Sequence, residues 1–331
     1  MVASKKPPTP DKGQLQKSLG IPDGLLQTLW GHNDQFSKRI WIVDNSGSMK
    51  IQDGHQLLHS SDCTRWKELE ETVLLHAQLS SALQAPTEFR MLNTQEKFRV
   101  GYDTMKDSLQ QAQHVLQKTT PKGDTPLLES IAQIRNEILQ ILPQLKADGT
   151  KVSVVIVTDG TSNYTPDTLG QPEDQMHQEL AEALGSLQGL PVSVVVRLCT
   201  DYGPLVDVYQ DLDEQWDHLD VLDDYHAESK EVYAHNPWLN YAMILHRMRE
   251  MGQYSPLFDW LDERTLTRHE LKEFCVLLFG SQVEELPDPQ EDWRGFLQGL
   301  DKIQSKEKLH LNPRTQQMAP WIDIEGLKLL E

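Results

Sequence analysis

Cysteine is scarce. Cys63, Cys199 and Cys275 are the three in a chain of 331 residues, too few and too scattered for a disulfide framework or a Cys-x-x-Cys metal or redox pair. A reducing compartment, the cytoplasm, is the expected setting. Long apolar runs are missing as well: nothing approaches the roughly eighteen residues of a membrane span. Met1 to Pro10 has lysines and prolines where a signal peptide would carry its apolar stretch. Positive charge is also in short supply. Thirty-one Lys and Arg against fifty Asp and Glu leave a net charge of −19, which repels nucleic-acid phosphate and anionic lipid. Neither nucleic acid nor membrane is therefore an expected partner.

What is present is an alternation of apolar strands and amphipathic helices. Ile40 to Val43 is a continuous apolar run ending in Asp44, and Val152 to Val157 is a second that leads into Thr158-Asp159-Gly160. Both read as strands covered on two faces. Val192 to Val196 and Leu219 to Leu222 extend the series, and Glu88–Leu92 with Phe98–Tyr102 reads as a hairpin. Between them, helical spacing marks Trp66/Leu69/Val73/Ala77, Met105/Leu109/Ala112/Leu116, Leu127/Ile131/Ile134/Ile138/Leu142 and Met176/Leu180/Ala183/Leu187. Such alternation predicts an α/β fold, a doubly wound, mainly parallel sheet.

The expected organisation is a mobile N-terminal tail with a short helix over 1–35, an α/β domain over 36–225 and a helical C-terminal extension over 226–331. In the extension, Asn236-Pro237 reads as the start of a helix carrying Trp238, Tyr241, Leu245 and Met248 on one face. Thr267 to Glu270 reads as a capping box ahead of Leu271, Phe274, Cys275 and Leu278, and a third helix is expected near Trp293 to Ile303. Trp238, Trp260, Trp293 and Trp321 are the expected core of this region.

Ligands of doubly wound folds gather where the strands end. There the sequence puts Asp44-Asn45-Ser46-Gly47-Ser48, then Gly123-Asp124-Thr125-Pro126 at a helix start, then Asp159. Three hydroxyls and two carboxylates, without sulfur or imidazole, suit a hard cation with oxygen ligands, and magnesium is the natural occupant. The pattern Asp-x-Ser-x-Ser followed by a distant threonine and a distant aspartate resembles the metal-ion-dependent adhesion site of von Willebrand factor type A domains, also called integrin I-like domains. All five positions are matched, by Asp44, Ser46, Ser48, Thr125 and Asp159.

The resemblance covers about 190 residues. It implies Mg²⁺, with Mn²⁺ or Ca²⁺ as substitutes, bound directly by Ser46, Ser48 and Thr125 and directly or through water by Asp44 and Asp159. One coordination position would be left for an Asp or Glu carboxylate of a partner protein. The implied function is a metal-dependent protein-binding module rather than an enzyme. The alternatives are a metal-dependent phosphohydrolase, which would need a second carboxylate where Ser46 stands, and a metal-indifferent scaffold that binds through the extension.

Three further features invite a reading. His55, His59 and Cys63 fall at intervals of four, a helical zinc spacing resting on too few ligands, so surface residues are the expected reading. Asp201 to Asp224 holds nine acidic residues and no Lys or Arg, read as a solvated acidic face. His76 lies among apolar neighbours and reads as a satisfied, partly buried histidine.

Overall fold

A computed structural model describes residues 19–55, 62–102, 105–160, 173–200, 203–252 and 255–329. Its centre is a six-stranded sheet built from β1 (Phe36–Val43), β2 (Thr87–Met91), β3 (Lys97–Val100), β4 (Lys151–Thr158), β5 (Val192–Leu198) and β6 (Leu219–Leu222). The spatial order is β3-β2-β1-β4-β5-β6, with every neighbouring pair parallel except the β2/β3 hairpin. This is the doubly wound, mainly parallel α/β sheet expected from the alternation. The order reverses between β1 and β4, so the chain leaves a crevice where those two strands end.

Helices cover both faces because β1, β4 and β5 are apolar on both. Ile40, Ile42, Val154 and Ile156 pack under α4 (Leu127–Asp148) and α5 (Glu173–Gly185). Trp41, Val43, Phe89 and Val155 pack under α2 (Arg65–Ala82) and α3 (Met105–Lys118).

A separate apolar core joins the two ends of the chain. Ile21, Leu25, Leu26 and Leu29, the last three on α1 (Asp23–Asn33), are buried with Leu79 and Leu83 at the end of α2 and with the C-terminal helices. Those helices include α7 (Tyr225–His235), α8 (Met243–Arg249), α9 (Pro256–Glu263), α10 (Arg268–Phe279) and α11 (Trp293–Gln304), with α6 (Gly203–Asp213) preceding β6. Gly24 lets α1 approach closely: a Cβ there would lie 2.4 Å from the Gly280 amide nitrogen. The capping box at Thr267 and Glu270 is present. Trp238, Trp293 and Trp321 are buried, whereas Trp260 is half-buried under the Arg264 guanidinium.

Two expectations need correction. No helix opens at Asn236; residues 236–242 are turns and extended backbone, and α8 starts at Met243. Asn236 instead ends α7, and its side chain donates to Leu261 O and Arg264 O at 2.8 Å and accepts from Leu266 N at 3.0 Å. Tertiary backbone groups took the side chain that a local cap would have used.

The acidic stretch before Tyr225 is a solvated face only in part: Asp207, Asp211, Glu214 and Asp217 are exposed. Asp223 and Asp224 are buried, and Asp224 caps α7 through the amides of His226 and Ala227. Asp213, Asp220 and Asp223 face Asp259, Asp262 and Glu231, with Arg249 as the cation among them. Burial first, then Asp220, pushes the Asp213 and Asp259 carboxyls up to about 7, and burial and Glu231 push Asp223 to about 6.

A carboxyl raised on folding favours the native state below its unfolded pKa and loses that contribution as pH climbs through the folded value. Asp259→Asn, which copies the protonated acid, is therefore expected to raise the melting temperature, with an advantage that widens from about pH 5 to about pH 8. Thermal scans of both proteins across that range check it; a gap that narrows with pH would refute the assignment.

Candidate metal centre

Three pieces of backbone bring the five-member pattern to the β1/β4 crevice. Asp44 continues β1, its amide donating to Val157 O at 3.0 Å. Ser46 and Ser48 follow in a tight turn, residues 47–50 forming one 3₁₀ turn. The Gly47 amide donates to Gly123 O at 3.0 Å and ties this turn to the loop ahead of α4. Gly123 has φ +79°, a left-handed conformation that suits glycine, and a Cβ on it would press on Asn93 Oδ1 at 3.3 Å. Asn45 fastens the other side, its Oδ1 accepting from the Asn93 amide at 2.7 Å and its carbonyl from the Lys122 amide at 2.9 Å.

The side chains form a connected set. The Ser46 amide donates to Asp44 Oδ1 at 2.8 Å, and the Thr158 hydroxyl donates to Asp44 Oδ2 at 2.6 Å. The Ser46 and Ser48 hydroxyls lie 3.0 Å apart, and that of Ser48 donates to Asp159 Oδ1 at 2.7 Å. Thr125 sits beside Gly160, where a Cβ would meet its hydroxyl at 3.5 Å. Beneath them the buried Tyr209 hydroxyl donates to Gly160 O at 3.0 Å and fixes the turn after β4.

Electrostatics sets the site's character. Asp44 is fully buried, and burial together with the charge of Asp159 pushes its carboxyl up to about 6. Arg65, the first residue of α2, donates to Asp159 Oδ2 at 2.7 Å and makes a two-pronged pair with Asp53 at 2.6 and 2.7 Å. Burial opposes its charge, but the bonds to Asp53 and Asp159 hold its pKa above the ordinary arginine value.

Neither Arg65 nor Asp53 stands out in the sequence. They sit in and after a polar loop with no motif to mark them, and only the fold turns them toward Asp159. Thr158 had a signal, as a hydroxyl directly before a strand-end aspartate.

The donor set fits a hard divalent cation. Its atoms are all oxygens, from three hydroxyls and two carboxylates, and a buried acid whose ionisation is opposed by a second acid gains from a nearby positive charge. Among the described residues no three His, Cys, Asp or Glu side chains cluster as metal ligands. The helical zinc spacing does not materialise. Gly54–His55 pairs antiparallel with Asp62–Cys63, and His59 lies outside the described residues. His76 is fully buried and bonded to Glu250 Oε2 at 2.6 Å.

Comparison with known proteins adds little to this geometry. No family profile and no curated protein matches the chain. Among solved structures, the crystal structure of the SpRpn10 VWA domain aligns over 57% of this chain and 87% of that one, at 8% identity and a TM-score of 0.36. Among the described residues no helix is long and apolar enough to cross a membrane.

Proposed function

We propose that the chain is a metal-dependent protein-binding module of the von Willebrand type A kind, recognising an Asp or Glu carboxylate of another protein at the β1/β4 crevice. The observation that carries this reading is the convergence of Asp44, Ser46, Ser48 and Asp159 in one hydrogen-bonded set, with Thr125 alongside, at the point where the strand order reverses. Ser46, Ser48 and Thr125 would hold the ion directly, and Asp44 and Asp159 directly or through water. The bound cation supplies an electrophilic contact for an external carboxylate, kept strong because its nearest ligands are neutral.

The protein's own residues do the rest. Thr158 and the Ser46 amide fix the Asp44 carboxylate, and Arg65 orients Asp159 while balancing its charge. Hydrolysis through an aspartyl nucleophile suits the site poorly: Asp44 is fully buried and both its oxygens are already bonded.

Capture on the immobilised chain tests the reading. Specific partners should be retained in Mg²⁺ and released by chelator. Thr125→Ala and Ser48→Ala, which leave the formal charge unchanged, should each lose most of the retention. Asp159→Asn should lose it too, although it makes the surface less negative. Retention that ignores chelator and improves with Asp159→Asn would leave general electrostatics, not a metal bridge, in control.

A further inference from the structure

The β1/β4 crevice holds a cation of its own. Arg65 turns its guanidinium to Asp159 and Asp53, and each of its three nitrogens donates to a carboxylate oxygen. The Arg65 side chain is 10% exposed, that of Asp159 is fully buried and that of Asp53 is 48% exposed. Both oxygens of Asp159 are engaged, Oδ1 by Ser48 and Oδ2 by Arg65.

Helix α2 gains nothing locally from an arginine at its start. A cation in the first turn opposes the helix dipole, and burial costs it further. The two carboxylates hold it there, and the backbone before α2 brings all three together. The Arg65 amide donates to Ile51 O at 3.0 Å, and Gly54–His55 pairs antiparallel with Asp62–Cys63. Gly54 packs so closely that a Cβ on it would lie 2.8 Å from Thr64 O. Thr64 then caps α2 by accepting from the Lys67 amide at 3.1 Å. Asp53 is thereby held against the guanidinium from the solvent side.

A fixed guanidinium beside a cation site acts on two ligands with opposite sign. It repels a divalent ion and attracts a carboxylate, and the first effect is the larger because the ion carries twice the charge. We infer that Arg65, clamped by Asp53, sets the selectivity of the site: it weakens the hold on the cation and strengthens the hold on the partner's carboxylate. The inference rests on the metal-bridge reading above. It also meets a difficulty of that reading, since a chain of net charge −19 repels an acidic partner and a permanent positive charge at the crevice offsets this where the two approach.

The test uses the full chain at about pH 8 and two probes. Calorimetry measures Mg²⁺ alone; fluorescence polarisation in saturating Mg²⁺ measures a fluorescein-labelled Gly/Ser peptide carrying one Asp. Arg65→Gln should bind Mg²⁺ about fivefold more tightly and the peptide about twofold more weakly, the sizes expected of one unit charge several ångströms from a divalent and a monovalent ligand in high dielectric. Arg65→Lys, which returns the charge, should recover most of both shifts. Asp53→Asn removes the opposing charge and should move both constants the other way, by less because Asp53 is half-exposed. A merely structural anchor would lose both affinities in Arg65→Gln, because the contact that fixes Asp159 is gone; that result, or constants that do not move, overturns the inference. Should Arg65→Gln fail to fold, Asp53→Asn decides: weaker Mg²⁺ and tighter peptide binding uphold the inference, and any other pair of signs overturns it. A wild-type chain that takes up no Mg²⁺, or binds the peptide no better in Mg²⁺ than in chelator, overturns the metal-bridge reading, and this inference with it.

Discussion

Replacing Glu250 by alanine is expected to cost the protein about 3–5 kcal/mol, the range for removing one member of a buried ion pair. Glu250 is fully buried at the end of α8 and meets Arg247, the Nε of Arg197 on β5 at 3.5 Å and the Nε2 of His76 on α2 at 2.6 Å. Burial alone would raise its carboxyl; Arg247 and His76 hold it below the ordinary glutamate value. Burial lowers the His76 pKa, so a neutral imidazole donates to the carboxylate. Alanine would leave Arg247 without this partner in the interior, and Arg197 with Glu68 as its remaining carboxylate beside its bond to Cys199 Sγ. Against a typical domain stability of about 5–15 kcal/mol, that loss removes a large fraction. Urea titration should show a much lower midpoint, with a smaller loss for Glu250→Gln, which can still accept from His76. An unchanged midpoint for Glu250→Ala would mean the network is stabilised by packing alone.

The same network explains which parts of the architecture could be read from sequence. Strand and helix periodicity is local, so the β1, β4 and β5 runs and the α2, α3, α4 and α5 stripes were legible at once. The boundary near Tyr225 marks where alternation stops, but it does not mark where burial stops. Arg197 and His76 lie inside the α/β part, yet both meet Glu250 from beyond residue 226. Charged residues carry no apolar period, so nothing in their spacing announces a buried role. Arg39, Arg197 and Arg247 are among the largest fully buried side chains, where composition alone would have placed them on the surface.

Legibility at the candidate site follows the same division. Asp44, Ser46, Ser48, Thr125 and Asp159 were visible because each lies directly after a strand or at a helix start, positions that periodicity locates. Arg65 and Asp53 were not, since their pairing with Asp159 depends on how the loop after the 3₁₀ turn folds back onto α2. The acidic stretch misled for a related reason. Asp213, Asp220 and Asp223 look solvated in a sequence that says nothing of α9, which brings Asp259 and Asp262 against them.

Asp44→Asn should shift stability in opposite directions with and without metal. In chelator at about pH 8, wild-type Asp44 is ionised in a fully buried position beside Asp159, with its carboxyl pushed up to about 6 from the ordinary aspartate value of 3.8. A raised carboxyl loses its stabilising contribution as pH rises through the folded value, so above it the native state carries a penalty on the order of 3 kcal/mol. Asparagine keeps an oxygen to accept from the Ser46 amide and carries no charge, so the variant should melt higher than wild type. The Thr158 hydroxyl can rotate to accept from the new amide.

Added Mg²⁺ should reverse the order. Ligand that binds only the native state stabilises it by RT ln(1 + [L]/Kd), about 4.1 kcal/mol at a thousandfold excess over Kd, which exceeds the penalty that asparagine removes. Wild type would gain this in full, whereas a variant stripped of the carboxylate should gain little and give no calorimetric isotherm. Differential scanning calorimetry of both proteins, with chelator and with Mg²⁺, therefore distinguishes two roles for one residue. A variant that melts above wild type in both conditions would make Asp44 a buried acid with no part in metal binding. A variant that melts below wild type in both would make it a structural anchor for the turn at Ser46. Crossing curves are the outcome that a metal ligand requires, because the repulsion between Asp44 and Asp159 is then what the cation relieves.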